Sequence, residues 1–167
     1  MSTSSPADPA VSPDVVEIES TLTRIAYLSN RARQHERLMA LAGLSLDRAG
    51  AALLRQLAER ESMRPGELAV RLSVEASHVT RQVQHLERSG LVTRVPDPDD
   101  RRAQRVQLTE AGRAAVRRVR TVSCQGMQAA LADWSPEDLH RLATLFRRMV
   151  DDFVSHGDEE AAAPHAG

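Results

Sequence analysis

Apolar residues recur at helical spacing along most of this chain. Val15, Ile18, Leu22 and Ile25 begin the pattern, which continues through Leu28, Ala32 and Leu38. Recurrence every three or four residues predicts a helix with one apolar face. Ser12-Pro13 supplies its start, a capping hydroxyl followed by proline at the first helical position. A single long helix over 13–42 is expected, ending near Leu41–Gly43. A second helix opens at Leu46-Asp47, with Ala51, Leu54, Leu57 and Ala58 as its stripe, and Met63-Arg64-Pro65-Gly66 breaks it. Pro65 then opens a short third helix with Leu68, Ala69 and Leu72 facing inward. After the turn Ser73-Val74-Glu75 comes a fourth helix, in which Val79, Val83 and Leu86 recur at spacings of four and three. Gly90 suits its left-handed stop.

The period then changes. Leu91–Pro96 reads as a strand and Arg105–Leu108 as its partner, around a polar tip, Asp97-Pro98-Asp99-Asp100-Arg101-Arg102-Ala103. Thr109 caps a helix running to about Leu131, with Glu110 in its first turn. Ser135-Pro136-Glu137-Asp138 starts a last helix whose face is Leu139, Leu142, Phe146, Met149 and Phe153. Residues 1–12 and 156–167 read as disordered tails, the latter acidic and Ala-rich. The predicted fold is mainly α with a two-stranded β-wing. It is a winged helix-turn-helix core over 46–112, flanked by helices over 13–42 and 109–155, in one domain spanning 13–155.

Charge sharpens this picture. The chain of 167 residues has a net charge of −1, but the sum hides a segregation. Residues 64–120 hold 12 Arg against 7 acids, whereas residues 121–167 hold 3 Arg against 8 acids. A local basic surface attracts phosphate whatever the total charge. Every basic residue is Arg, which forks onto phosphates and guanine edges better than Lys.

On the fourth helix, the face opposite Val79, Val83 and Leu86 carries Ser77, His78, Thr80, Arg81, Gln84 and Arg88. Hydroxyls, an amide and a cation are the groups that read base edges and phosphates in the major groove. A solvated polar face is the commoner meaning of such a pattern, but the hairpin that follows favours DNA contact.

The 49 residues from Arg64 to Gly112 resemble the MarR (multiple antibiotic resistance regulator) family. GELAVRLSV is similar to that family's support helix and turn. SHVTRQVQHLERSGLVTR is similar to its recognition helix and first wing strand. DPDDRRA is similar to its wing tip, and VQLTEAG to its second strand and the start of the next helix. The resemblance implies that Ser77, His78, Arg81 and Gln84 reach bases while Thr80 touches phosphate. It implies that Arg102 enters the minor groove, oriented by Asp100, and that Arg94 and Arg101 reach the DNA backbone. Inserted Arg is favoured where a narrow A/T-rich groove concentrates negative potential. Three Asp among the tip residues would repel DNA unless they pair with the neighbouring arginines. Arg113, Arg117, Arg118 and Arg120, on the helix after the wing, are expected to form a solvated face or dimer salt bridges.

The family likeness further implies a ligand-responsive repressor that binds a palindromic operator in double-stranded DNA as a homodimer. The flanking helices, whose apolar faces exceed what one small core can bury, would form the dimerisation layer. A small phenolic or anionic effector would enter a cleft walled by the first, second and fifth predicted helices. Tyr27, Asn30, Arg31, His35 and Met39 are the first helix's candidates for it. The alternative is a protein-interaction module that reuses the fold without specific DNA binding, which predicts an eroded recognition face. No catalytic motif, metal-ligand cluster or cofactor signature stands out. Cys124, the sole cysteine, falls mid-helix, where a small buried hydrophobe is the default. No apolar run spans a membrane and no secretion signal opens the chain, so the expected location is cytoplasmic.

Overall fold

The computed structural model describes residues 11–29, 31–100 and 102–162. Two of the residues singled out above, Asn30 and Arg101, lie outside the described residues, as do most of the N-terminal tail and 163–167 at the C-terminus. Among the described residues, seven helices and two strands follow in order: α1 Pro13–Ser29, α2 Ala32–Leu41, α3 Arg48–Ala58, α4 Pro65–Leu72, α5 Ala76–Arg88, β1 Val92–Pro96, β2 Gln104–Leu108, α6 Glu110–Ala130 and α7 Pro136–Ala162. The chain forms two compact units, which divide after Cys124.

The sequence predicts one helix over 13–42; the structure has two. Arg31 is extended (φ −70°, ψ 124°) and begins a new helix. The restarted α2 buries Met39, and Ala42 just after it is buried too. It is tied to the approach of α3 by His35, whose Nε2 lies 2.8 Å from the Leu46 carbonyl oxygen. Gly43, at φ 64°, turns the chain after α2; the Leu44 N–H donates back to the Met39 carbonyl at 2.9 Å.

The core of the first unit gathers Leu53, Leu54 and Leu57 of α3, Leu68 and Ala69 of α4, Val79, Val83 and Leu86 of α5, and Val92, Val106 and Leu108 of the hairpin. Each full burial of such a side chain stabilises by about 1.5–3 kcal/mol. Capping fixes where the helices begin. The Asp47 carboxylate accepts from the Gly50 N–H at 2.7 Å, and its second oxygen accepts from Gln82 Nε2 at 2.9 Å, joining α3 to α5. Ser73 takes the left-handed conformation (φ 52°) in the tight turn between α4 and α5.

β1 and β2 pair antiparallel, with Val92 opposite Leu108 and Pro96 opposite Gln104. Met63, read from sequence as part of a helix break, adds a third edge. It exchanges both backbone hydrogen bonds with Val106, at 3.0 and 2.8 Å.

In the second unit, Ser135 caps α7 by accepting from the Asp138 N–H at 3.1 Å. α7 continues to Ala162, into the segment read from sequence as a tail beginning at residue 156. The acidic, Ala-rich composition that suggests a solvated tail also has high helix propensity. Trp134, Phe146 and Phe153 are exposed, as are Val15, Ile18 and Ile25 of α1. No helix among the described residues is long and apolar enough to cross a membrane.

Candidate nucleic-acid interface

α5 divides sharply into two faces. Val79, Val83 and Leu86 are at most 2 % exposed, whereas Ser77, His78, Thr80, Arg81, Gln84 and Arg88 are all exposed. The expected reading residues therefore share one outward face. Thr80 differs from its neighbours in that its hydroxyl donates to the Ala76 carbonyl at 3.0 Å, inside the helix. Arg88 Nε donates to the Gln84 carbonyl at 3.3 Å, folding back along the last turn. His78, Arg81 and His85 line one cleft with Asp47 and Gln82. The cap of α3 thus borders the polar face of α5.

The wing tip is organised by Asp97, whose side chain is fully buried. Its Oδ1 accepts from the N–H groups of Asp99 (2.9 Å) and Asp100 (3.1 Å). Its Oδ2 accepts from Arg64 Nε at 2.6 Å and from an Arg105 guanidinium nitrogen at 3.4 Å. The Arg64 hydrogen bond, helped by the two backbone donors, holds the Asp97 carboxyl well below the usual carboxylate range despite its burial. Asp97 also donates its own N–H to the Ala103 carbonyl, closing the tip at 3.1 Å.

Asp100 acts on Arg102 through the backbone: its Oδ1 accepts from the Arg102 N–H at 2.9 Å, and the Arg102 side chain stays exposed. The expected pairing of the tip acids with the neighbouring tip arginines is thus replaced, among the described residues, by pairing of Asp97 with Arg64 and Arg105, which lie outside the tip. Arg94 is half-buried and paired with Glu87 of α5 at 3.1 Å, so β1 is fastened to the end of the polar helix. On α6, Glu110 bridges Arg113 at 3.0 Å and Arg117 at 2.9 Å. The guanidinium of Arg117, then that of Arg113, keeps the Glu110 carboxyl below its ordinary range.

The residues proposed from sequence for an effector differ in exposure. Tyr27 is 70 % exposed and Met39 is 4 % exposed; Arg31 is exposed and His35 binds the Leu46 carbonyl. A cavity of about 370 Å³ lies instead between α3 and α6, lined by Leu46, Leu54, Arg55, Val119, Arg120 and Ser123 among others. None of the four lines it. Sequence alone does not single out Arg55 and Arg120 for a ligand, because only the fold brings their helices together. Among the described residues no His, Cys, Asp and Glu group is arranged to hold a metal ion, and Cys124 is exposed, not buried as expected.

Two helices joined by a tight turn, with a two-stranded hairpin behind them, define a winged helix-turn-helix, a DNA-binding class. Residues 46–103 match the model of the MarR family. The chain is 29 % identical over 110 residues to the uncharacterized HTH-type transcriptional regulator YxaD of Bacillus subtilis, covering 66 % of this chain and 77 % of that one. It is 28 % identical over 105 residues to the HTH-type transcriptional regulator PecS of Dickeya dadantii, covering 63 % of each. Its fold is that of a MarR family protein from Bacillus stearothermophilus, with a TM-score of 0.72 at 23 % identity over 87 % of this chain and 99 % of that one. The reduced form of MarR from E. coli superposes with a TM-score of 0.60 at 27 % identity, over 77 % of this chain and 95 % of that one. Residues 46–103 therefore form a MarR-type winged helix-turn-helix, and over this segment the chain is similar to DNA-binding transcriptional regulators.

Proposed function

We propose that the protein is a ligand-responsive repressor that binds a palindromic operator as a homodimer. In this reading α5 lies in the major groove, with Ser77, His78, Arg81 and Gln84 at base edges and Thr80 at a phosphate. Arg102 enters the adjacent minor groove, and Arg101 meets the backbone beside it. Arg94 reaches the backbone from a position set by Glu87. The observation that carries the reading is the two-faced α5: one face closes the core, and the other presents these groups without an apolar interruption.

Dimerisation is supported by the exposed apolar residues of α1 and α7, including Ile18, Ile25, Phe146 and Phe153. Burying such patches against a second copy removes them from water. The cavity between α3 and α6 falls within the size range of small-molecule sites. Its arginines, Arg55 and Arg120, over Leu54 and Val119 suit a small organic anion with an apolar body.

A gel-shift titration with the DNA flanking the protein's own gene, at moderate salt and with excess nonspecific DNA, tests the reading. Specific retardation that weakens about 10-fold or more in Arg81→Ala is expected, the scale of one lost base contact. Retardation equal to that of scrambled DNA would favour a protein-interaction module.

A further inference from the structure

Asp97 is the only buried charged residue among the described residues. Its place is as telling as its burial. It follows β1 directly, where the hairpin leaves the sheet to form its tip. One carboxylate oxygen faces the tip, where it gathers the N–H groups of Asp99 and Asp100. The other faces the base, where it takes Arg64 and Arg105. Arg64 is the residue immediately before α4, and its own N–H donates to Glu67 of α4 at 2.9 Å. Arg105 lies on β2 and reaches across to Ser62, donating to its hydroxyl at 2.9 Å and to its carbonyl at 2.8 Å. The wing is therefore fastened along Ser62, Met63 and Arg64, to the segment that starts the first helix of the helix-turn-helix.

We propose that Asp97 is a positioning residue for DNA recognition, locking the wing tip to the start of α4 so that Arg102 is held at a fixed offset from α5. The inference rests on the reading of Arg102 as a minor-groove contact. The linkage is continuous. α5 packs on α4 through Leu68, Val79 and Val83, the start of α4 is joined to Asp97 through Arg64, and Asp97 shapes the turn in which Asp100 holds the Arg102 N–H. A hairpin free to swing would have to be ordered on binding, and that ordering subtracts from affinity. Stability alone does not call for this arrangement, because well-packed apolar groups often replace buried ion pairs without loss. A carboxylate with four directed donors fixes a geometry that an apolar plug would leave loose.

The test compares Asp97→Asn, Arg102→Ala and the double variant by fluorescence anisotropy. Each is titrated with operator DNA and with DNA whose A/T pairs under the wing are replaced by G/C. Asn keeps the shape but turns an amide N–H₂ toward the arginines. Circular dichroism and a thermal melt establish that each variant is folded; if Asp97→Asn is not, Arg64→Gln, which removes the shortest side-chain partner of the same carboxylate, takes its place. Asp97→Asn is expected to weaken operator binding about tenfold, the scale of one lost groove contact. It is expected to abolish the A/T preference, and to add less than about twofold to the loss in Arg102→Ala. A lowered melting temperature with wild-type affinity and intact A/T preference would overturn the proposal, as would fully additive losses in the double variant. Wild-type binding by Arg102→Ala would instead overturn the minor-groove reading on which it rests.

Discussion

Gly112 sits in the first turn of α6, where Ala would ordinarily improve a helix by up to about 1 kcal/mol. Here the opposite is expected. A Cβ at this position would penetrate the carbonyl oxygen of Leu91, lie 3.0 Å from its carbon, and meet Leu108 Cδ2 at 3.3 Å. The obstacle is backbone, which cannot rotate away as a side chain would. The start of α6 must then retreat from Leu91, straining the hydrogen bond that Thr109 N–H gives to the same carbonyl at 3.1 Å. Overpacking of this kind costs about 1–3 kcal/mol, and the weakened hydrogen bond adds up to about 1 kcal/mol. Offset by helix propensity, Gly112→Ala should destabilise by roughly 1–3 kcal/mol. For a chain of this length that corresponds to a fall in Tm of roughly 3–10 °C. At Gly66, in α4, an added methyl group would meet nothing within 4 Å, so Gly66→Ala should melt at or slightly above the wild type. Differential scanning fluorimetry at one fixed protein concentration reads both, since a dimer's Tm depends on concentration. A Gly112→Ala protein as stable as the wild type would refute the close approach of α6 to the root of the wing.

Asp47→Ala removes both the cap of α3 and its tie to Gln82, so urea unfolding should show a loss of about 1 kcal/mol, within the roughly 0.5–2 kcal/mol range of N-cap substitutions. Leu86→Ala empties a fully buried position and should cost about 2–5 kcal/mol in the same assay. Acid titration provides an independent check on Asp97. Its carboxyl is held below the ordinary range by Arg64, so the folded chain binds this proton more weakly than the unfolded chain. The resulting stability is fully present above about pH 4, the unfolded value, and is lost as pH falls through the lower folded value. The stability gap between wild type and Asp97→Asn should be constant from about pH 7 to about 5 and shrink progressively below about 4; a gap as large at about pH 2 as at about pH 7 would contradict the assignment.

The reading helix is legible in the sequence because Val79, Val83 and Leu86 leave only one face for everything else, and that periodicity is local. The wing is legible for the same reason, as a change of period around an Asp-rich turn. Continuity is harder to read. Apolar spacing from Leu28 to Leu38 reports which face is apolar, not whether the helix runs unbroken, so the restart at Arg31 leaves no trace in the pattern. The acidic stretch from Asp158 to Glu160 suits a solvated tail and a helix equally, and the structure carries α7 through it. Long-range partnerships are invisible along the chain. Asp97 meets Arg64 from 33 residues away, and nothing around Arg64 marks it as the partner of a wing residue. Met63 reads as part of a break, and only the fold sets Val106 opposite it. The cavity arginines, Arg55 and Arg120, lie on helices that are distant in sequence and meet only in the folded chain.

Hydroxyl-radical footprinting of the full-length protein on its operator tests the central claim most directly. Two equivalent protected half-sites are expected, with centres about one helical turn, or ~34 Å, apart. Each should be flanked by minor-groove protection that disappears in Arg102→Ala while protection around α5 persists. A single protected half-site, or flanking protection unchanged in Arg102→Ala, would contradict it.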